Sequence, residues 1–100
     1  YYLCGQVPFH PVTGEVVGNG MKEQAVQTLA NMKAVLEAAG LTVTDIAKTT
    51  VFVTNMDDFA AFNEVYAAFM GEHRPARVCV EVSNIAHGCL LEMDAICFKE

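Results

Sequence analysis

The sequence predicts a single α+β domain in which two amphipathic helices cover one face of a mixed β-sheet. Three observations lead there. Apolar residues recur at helical spacing in two separate stretches, β-branched runs lie on either side of them, and Gly and Pro punctuate the boundaries. A length of 100 residues leaves room for one core and not two.

Tyr1–Val7 is rich in β-formers and reads as the first strand, although it alternates poorly. Pro8, Pro11 and Thr13-Gly14 mark a turn, Glu15-Val16-Val17 reads as a short second strand, and Gly18-Asn19-Gly20 breaks the chain. From Met21 the period changes. Met21, Ala25, Leu29, Met32, Val35, Leu36 and Ala39 fall three and four apart, which is an amphipathic helix; Lys22, Glu23, Gln27, Thr28, Asn31 and Glu37 are expected on its solvent face. Gly40 sits where a left-handed C-cap belongs. Ile46–Thr54 is β-branched and reads as a strand. Asp57 or Asp58 can cap a second helix that buries Phe59, Phe62, Val65, Tyr66 and Phe69 and stops near Gly71. Ala76–Val82 and Leu90–Phe98 are two more strands, read as neighbours joined by the short Ser83–Gly88 connection. The expected order is ββ-α-β-α-ββ.

Composition narrows the class of function. The apolar share of 53% is high against the usual ~45–50%, so part of this surface is expected to meet another surface. The same share excludes disorder, and no apolar run approaches the ~18 residues of a membrane span. A net charge of −6, with Lys22, Lys33, Lys48, Arg74, Arg77 and Lys99 scattered, argues against nucleic acid as the main partner. Cys4, Cys79, Cys89 and Cys97 sit in apolar, strand-like contexts without a signal peptide, and read as free buried thiols in a reducing compartment. The cytoplasm is the expected location, with the mitochondrion as alternative. No Cys or His pair has structural zinc spacing, the zinc-deaminase signature is absent, and the glycines fit neither a dinucleotide nor a P-loop fingerprint. His10, His73 and His87 fall in loops and receive no catalytic role.

Two strands carry residues that call for an account. Strict alternation places Val78, Val80 and Val82 on one face of Ala76–Val82, expected toward the helices, and Arg77, Cys79 and Glu81 on the other. Arg77 is then either a solvated arginine on an open face or, if a partner subunit covers that face, a fork for a carboxylate in an enclosed cleft. Glu92 and Asp94 lie in an otherwise apolar strand, on the face of Leu90, Ile96 and Phe98. Because an uncompensated buried carboxylate is costly, they are expected on an exposed face, in an ion pair with Arg77 or Lys48, or in a pocket that Glu92 shares with Arg77. Cys79, beside Arg77, either lines the pocket or gains thiolate character from the cation.

Several runs together resemble a known family. Gly5-Gln6-Val7-Pro8 with Thr13-Gly14-Glu15-Val16-Val17 resembles its opening, and Gln24–Gly40 its first helix. Asp45–Val53, Asp58-Phe59, Phe62–Tyr66, Pro75-Ala76-Arg77-Val78-Cys79-Val80 and Glu92-Met93-Asp94-Ala95-Ile96 follow in the same order. On these residues the chain is similar to the RidA family, also called YjgF/YER057c/UK114. The resemblance implies a chorismate-mutase-like fold and a homotrimer whose sheets pack around a central barrel, with active sites in the clefts between subunits. It implies hydrolysis of reactive 2-imino acids or their enamine tautomers, 2-iminobutanoate and 2-iminopropanoate, to 2-keto acids and ammonia, without metal or cofactor. By that resemblance Arg77 grips the substrate carboxylate, Glu92 activates water, Gly5 and Cys79 line the pocket, and Asn63 belongs to the pocket or interface. Cys4 stands where the family usually has Ser or Thr. The family also usually has a strand before the position of Tyr1, so residues 1–100 are expected to be a single domain lacking it. The alternatives are a non-catalytic trimer that binds keto acids and, from another activity in the family, an RNA-cleaving translation inhibitor, against which the −6 charge counts.

Overall fold

Two β-α-β units share one sheet. In the computed structural model, which describes residues Tyr1–Glu100, helix α1 (Met21–Ala38) joins β1 (Tyr2–Gln6) to β2 (Ile46–Val53), and helix α2 (Phe59–Met70) joins β2 to β3 (Ala76–Glu81). The final strand, β4 (Leu91–Cys97), inserts between the first two, giving the order β1-β4-β2-β3. It runs antiparallel to both β1 and β2, while β3 runs parallel to β2. β3 and β4 are therefore not neighbours, contrary to the expectation from their short connection; β2 lies between them.

Both helices cover one face. Thr49, Val51 and Val53 of β2 and Leu91, Met93, Ala95 and Cys97 of β4 point into the core, where Ala25, Leu29, Met32 and Leu36 of α1 and Phe62, Tyr66 and Met70 of α2 meet them. The other face has no covering element and carries Thr50, Phe52, Val78, Val80, Glu92, Asp94 and Ile96. Its valines are 43% (Val78) and 40% (Val80) exposed, a large apolar exposure for mid-strand positions.

The helix ends follow local chemistry. At the end of α1, Gly40 (φ 74°) takes the left-handed conformation and Leu41 N–H closes on Leu36 O (2.8 Å), with Gly40 N–H on Glu37 O (3.0 Å). That is a Schellman cap. Before α2, the Asn55 side chain accepts from Asp57 N–H (2.9 Å), so Asn55 rather than an aspartate caps the short 3₁₀ turn leading into the helix.

Two local expectations are corrected. Glu15–Val17 is not a strand: only a single bridge links Phe9 to Val16. Pro8 and Pro11 supply no N–H for a ladder, and Asn31 Nδ2 on α1 instead holds the Val7 and Phe9 carbonyls, each at 2.9 Å. Thr28 is fully buried rather than on the solvent face, and Gln24 is buried beside it, because α1 lies on the sheet over a wider stripe than its apolar residues alone define. Gln24 justifies its position by linking Gly18 O (Nε2, 3.1 Å) to Leu90 N–H (Oε1, 2.9 Å), which ties the start of α1 to the entrance of β4.

All four cysteines are free; Cys89 and Cys97 are buried, Cys79 is half-buried, and Cys4 is exposed, not buried as its context suggested. Burial pushes the Cys79, Cys89 and Cys97 thiols above the 9.0 of a free thiol; Arg77 partly opposes this at Cys79, and Glu92 reinforces it at Cys89. Above that value the unfolded chain releases protons that the folded chain retains, so stability present below pH 9.0 is lost as pH rises through the folded values. Thermal melts from pH 8 to 11 are expected to show a falling midpoint, with a shallower fall in a Cys89→Ala variant measured alongside.

Candidate active site

The faces of β3 are the reverse of the simplest reading. Arg77 pairs in register with Thr49 and Cys79 with Val51, and those β2 side chains are buried beneath the helices. Neighbours in register share a face, so Arg77 and Cys79 turn toward α2, and Val78 and Val80 turn to the uncovered face. Hydrophobicity alone assigned the valines inward. Register decides otherwise, because β3 is the edge strand, where α2 covers only part of the inner side and leaves room for a polar head.

That head is held by a stripe on α2. Phe59, Asn63 and Tyr66 fall at i, i+4 and i+7, one face of a helix. The Arg77 guanidinium carbon lies 5.2 Å from the Phe59 ring centroid and 4.7 Å from that of Tyr66, within cation–π range. Arg77 Nη1 donates to Asn63 Oδ1 at 2.7 Å. Behind the aromatic ring, the Tyr66 hydroxyl shares a 2.8 Å hydrogen bond with the Thr49 hydroxyl in the buried interior. A cavity of about 440 Å³ opens in front, with Arg77, Asn63, Tyr66, Met70, Arg74 and Pro75 among its walls.

Arg77 has no carboxylate partner. The only ion pair in the chain joins Lys22 to Glu64 at 3.0 Å on the surface, so the expected pairing of Glu92 or Asp94 with Arg77 or Lys48 does not occur. A guanidinium carries five N–H donors in a planar fork. One pair of aromatic neighbours and one amide leave it poised for a carboxylate, the partner that the fork matches best. Cys79 is not activated by its cationic neighbour, since burial outweighs Arg77 and keeps the thiol protonated. Arg74 is committed to its own loop, its Nη1 donating to the Gly71 and His73 carbonyls.

Glu92 lies elsewhere. It pairs in register with Phe52 on the uncovered face, three residues further along β2 than the level of Arg77. Its carboxyl packs against β1 at Gly5: a Cβ on Gly5 would fall 3.0 Å from the carboxyl carbon. On its other side a cavity of about 270 Å³ is walled by Phe52, Val82, Asn84, Ile85, Ala86 and Glu92. Within one chain, then, Arg77 and Glu92 do not share a pocket; β2 separates them and they project from opposite faces. The predicted residues fall into two groups, Arg77, Cys79 and Asn63 at the β3 edge and Glu92 with Gly5 on the uncovered face.

Each histidine has a partner within the chain, away from Arg77. His10 Nδ1 accepts from Val12 N–H (3.1 Å), His73 Nε2 bonds Ile46 O (2.8 Å), and His87 stands edge-on to Phe9 (5.4 Å). The residues that sequence reasoning missed are Phe59, Tyr66 and Thr49, which read as core. The available signal was Asn63, an amide interrupting an otherwise aromatic helical stripe.

A family model described as endoribonuclease L-PSP matches residues 1–99. A RutC family protein from Pyrococcus horikoshii is 50% identical over 99 residues, which cover 99% of this chain and 79% of that protein. The crystal structure of RidA from the Antarctic bacterium Psychrobacter superposes with a TM-score of 0.93 at 40% identity, over 98% of this chain and 79% of that one. The chain belongs to the RidA family. Among its relatives is the 2-iminobutanoate/2-iminopropanoate deaminase of Escherichia coli K12, 49% identical over 98 residues, covering 95% of this chain and 76% of that protein. The four-stranded mixed sheet with two helices on one face is the fold of the solved RidA-family structures.

The Gly5–Glu92 contact gives a direct test of the second group. The Cβ of a Gly5→Ala variant meets only the flexible end of the glutamate side chain, so the fold should survive with a stability change within about 1 kcal/mol. Glu92 should be displaced from β1, as a crystal structure of the variant will show.

Proposed function

We propose that this RidA-family chain hydrolyses 2-imino acids such as 2-iminobutanoate and 2-iminopropanoate to the corresponding 2-keto acids and ammonia. The observation that carries this reading is an arginine held in a ready-made cavity by two aromatic rings and an amide, with no carboxylate of its own. A substrate carboxylate completes that arrangement. The name of the E. coli relative supports the same substrate class.

The chemistry needs few groups. Arg77 binds the substrate carboxylate through parallel N–H donors and so fixes the adjacent imine carbon. Glu92 accepts a proton from a water as its oxygen bonds to that carbon, giving a carbinolamine. Glu92 returns that proton to the nitrogen, which has taken up the C=N electron pair; it then takes the hydroxyl proton as the keto group forms and passes it to the nitrogen, and the C–N bond breaks with its electron pair leaving on ammonia. Gly5 leaves space for the Glu92 carboxyl, and Cys79, on the same face of β3 two residues beyond Arg77, keeps its thiol protonated.

Arg77 and Glu92 have to come from different subunits for this sequence to run. The uncovered face supports an assembly: Val78, Val80 and Ile96 are exposed there, with Tyr2 and Phe98 at its border. A homotrimer with its sheets turned inward covers this face and brings the Arg77 edge of one subunit to the Glu92 face of the next. RNA cleavage is disfavoured, since twelve acidic residues outweigh six basic ones.

In an assay where a pyridoxal-phosphate dehydratase generates the imine from threonine or serine, the protein should accelerate keto-acid release. Arg77→Ala should cost more than about a hundredfold in kcat/KM, and Glu92→Gln roughly 10²–10⁴ in kcat, with both variants folded. Unchanged release with Arg77→Ala would sink the assignment, and keto-acid binding without ammonia release would favour a regulatory trimer. Light scattering should give a trimer mass for the wild type. Val80→Glu, which buries a charge in the assembled face, should yield a folded monomer that has lost activity.

A further inference from the structure

The mechanism uses Arg77 as a clamp and leaves open what fixes its direction. An arginine side chain has several rotatable bonds and loses rotamer freedom when it is fixed. Arg77 also springs from an edge strand, which is supported on one side only. Its orientation must come from what touches it.

The contacts lead inward to the most constrained part of the molecule. Thr49 lies in β2, which is paired on both sides, to Arg77 in β3 and to Ala95 in β4 at the same level. Its side chain is 0% exposed, and its hydroxyl meets that of Tyr66, a residue 7% exposed, at 2.8 Å. Phe62 packs on the Tyr66 ring with centroids 5.4 Å apart, and Arg77 stands over the same ring at 4.7 Å. Asn63, one turn earlier on α2, holds one guanidinium nitrogen. The donors of a guanidinium lie in its own plane, and Arg77 is one of the walls of the cavity.

A buried hydroxyl pair is not needed for packing. Valine and phenylalanine would fill the same space without polar atoms to satisfy, and replacing both partners of a hydrogen bond by apolar groups of like shape is often neutral. What the hydroxyl pair adds is a fixed rotation and depth for the ring. We propose that Thr49 and Tyr66 are a positioning pair that sets the orientation of the Arg77 guanidinium, so that its free donors face a substrate carboxylate. The proposal rests on the reading of Arg77 as the carboxylate clamp. Thr49 lies behind the ring, outside the cavity wall, and the pair acts through Arg77.

The test separates positioning from stability by comparing Tyr66→Phe, Thr49→Val and the double variant. Each single variant strands one buried hydroxyl and should lower the melting temperature, whereas the double variant, with no stranded group, should recover it. Affinity for 2-oxobutanoate, measured calorimetrically as a carboxylate probe, should fall about three- to tenfold in all three. In imine hydrolysis the loss should appear mainly in KM. In ¹⁵N-labelled wild type the Arg77 Nε–H signal should report a rigid group, and in each variant a mobile one. If the double variant recovers both probe affinity and a rigid Nε–H along with its melting temperature, the pair is structural only and the proposal is overturned. A wild type that fails to hydrolyse imines while its Nε–H is rigid and becomes mobile in the variants would refute the proposed reaction and leave the positioning role standing. Rigid signals and unchanged affinity in all three variants, with imine hydrolysis intact, would do the reverse.

Discussion

The pairing of β4 with β2 is the interaction on which the other features of this molecule depend. Seven residues of β2 find partners along β4, from Ile46 with Cys97 to Val53 with Leu91. This ladder puts the last strand of the chain at the centre of the sheet, next to the first. A strand with neighbours on both sides and helices above must fill its inner face with apolar groups, and Leu91, Met93, Ala95 and Cys97 do so. Because alternation is strict, the residues between them have to point the other way. Glu92 and Asp94 are acceptable in an apolar strand for that reason: they fall on the face that the helices leave open.

The same register displaces β3 to the edge, and the edge is where an arginine can face inward without being sealed in. A charged head under the middle of α1 or α2 would be desolvated without compensation. At the border of α2, Arg77 keeps contact with the cavity while Phe59, Asn63 and Tyr66 supply an electron-rich and polar seat. Conversely, the valines of β3 are left on the open side, at an apolar cost that only a covering surface can recover. The exposure of Val78 and Val80 and the separation of Arg77 from Glu92 are thus two consequences of one register.

A good part of the fold was legible in the sequence. Both helices, their ends at Gly40 and Gly71, and the four long strands follow from periodicity and turn residues, because local spacing and local caps decide them. The strand expected at Glu15–Val17 failed because its one partner segment is bounded by Pro8 and Pro11, which have no N–H to extend the Phe9–Val16 bridge. The placing of Thr28 on the solvent face failed for another reason: a polar residue is buried wherever a helix presses on a sheet, and its own spacing does not say how wide that contact is.

The sequence by itself determined the family, through motifs that are contiguous along the chain. Arg77, Glu92, Cys79, Gly5 and Asn63 were all nameable from the motifs around them, since those motifs are contiguous along the chain. The tertiary structure alone decided which way each of them points. Facing is a property of strand order and register, and both are set by contacts between segments far apart in sequence, such as Thr49 with Arg77 and Phe52 with Glu92. A shift of one residue in either ladder would exchange the two faces. That is why the motifs could be read from the chain while the division of their residues between two faces of the sheet could not.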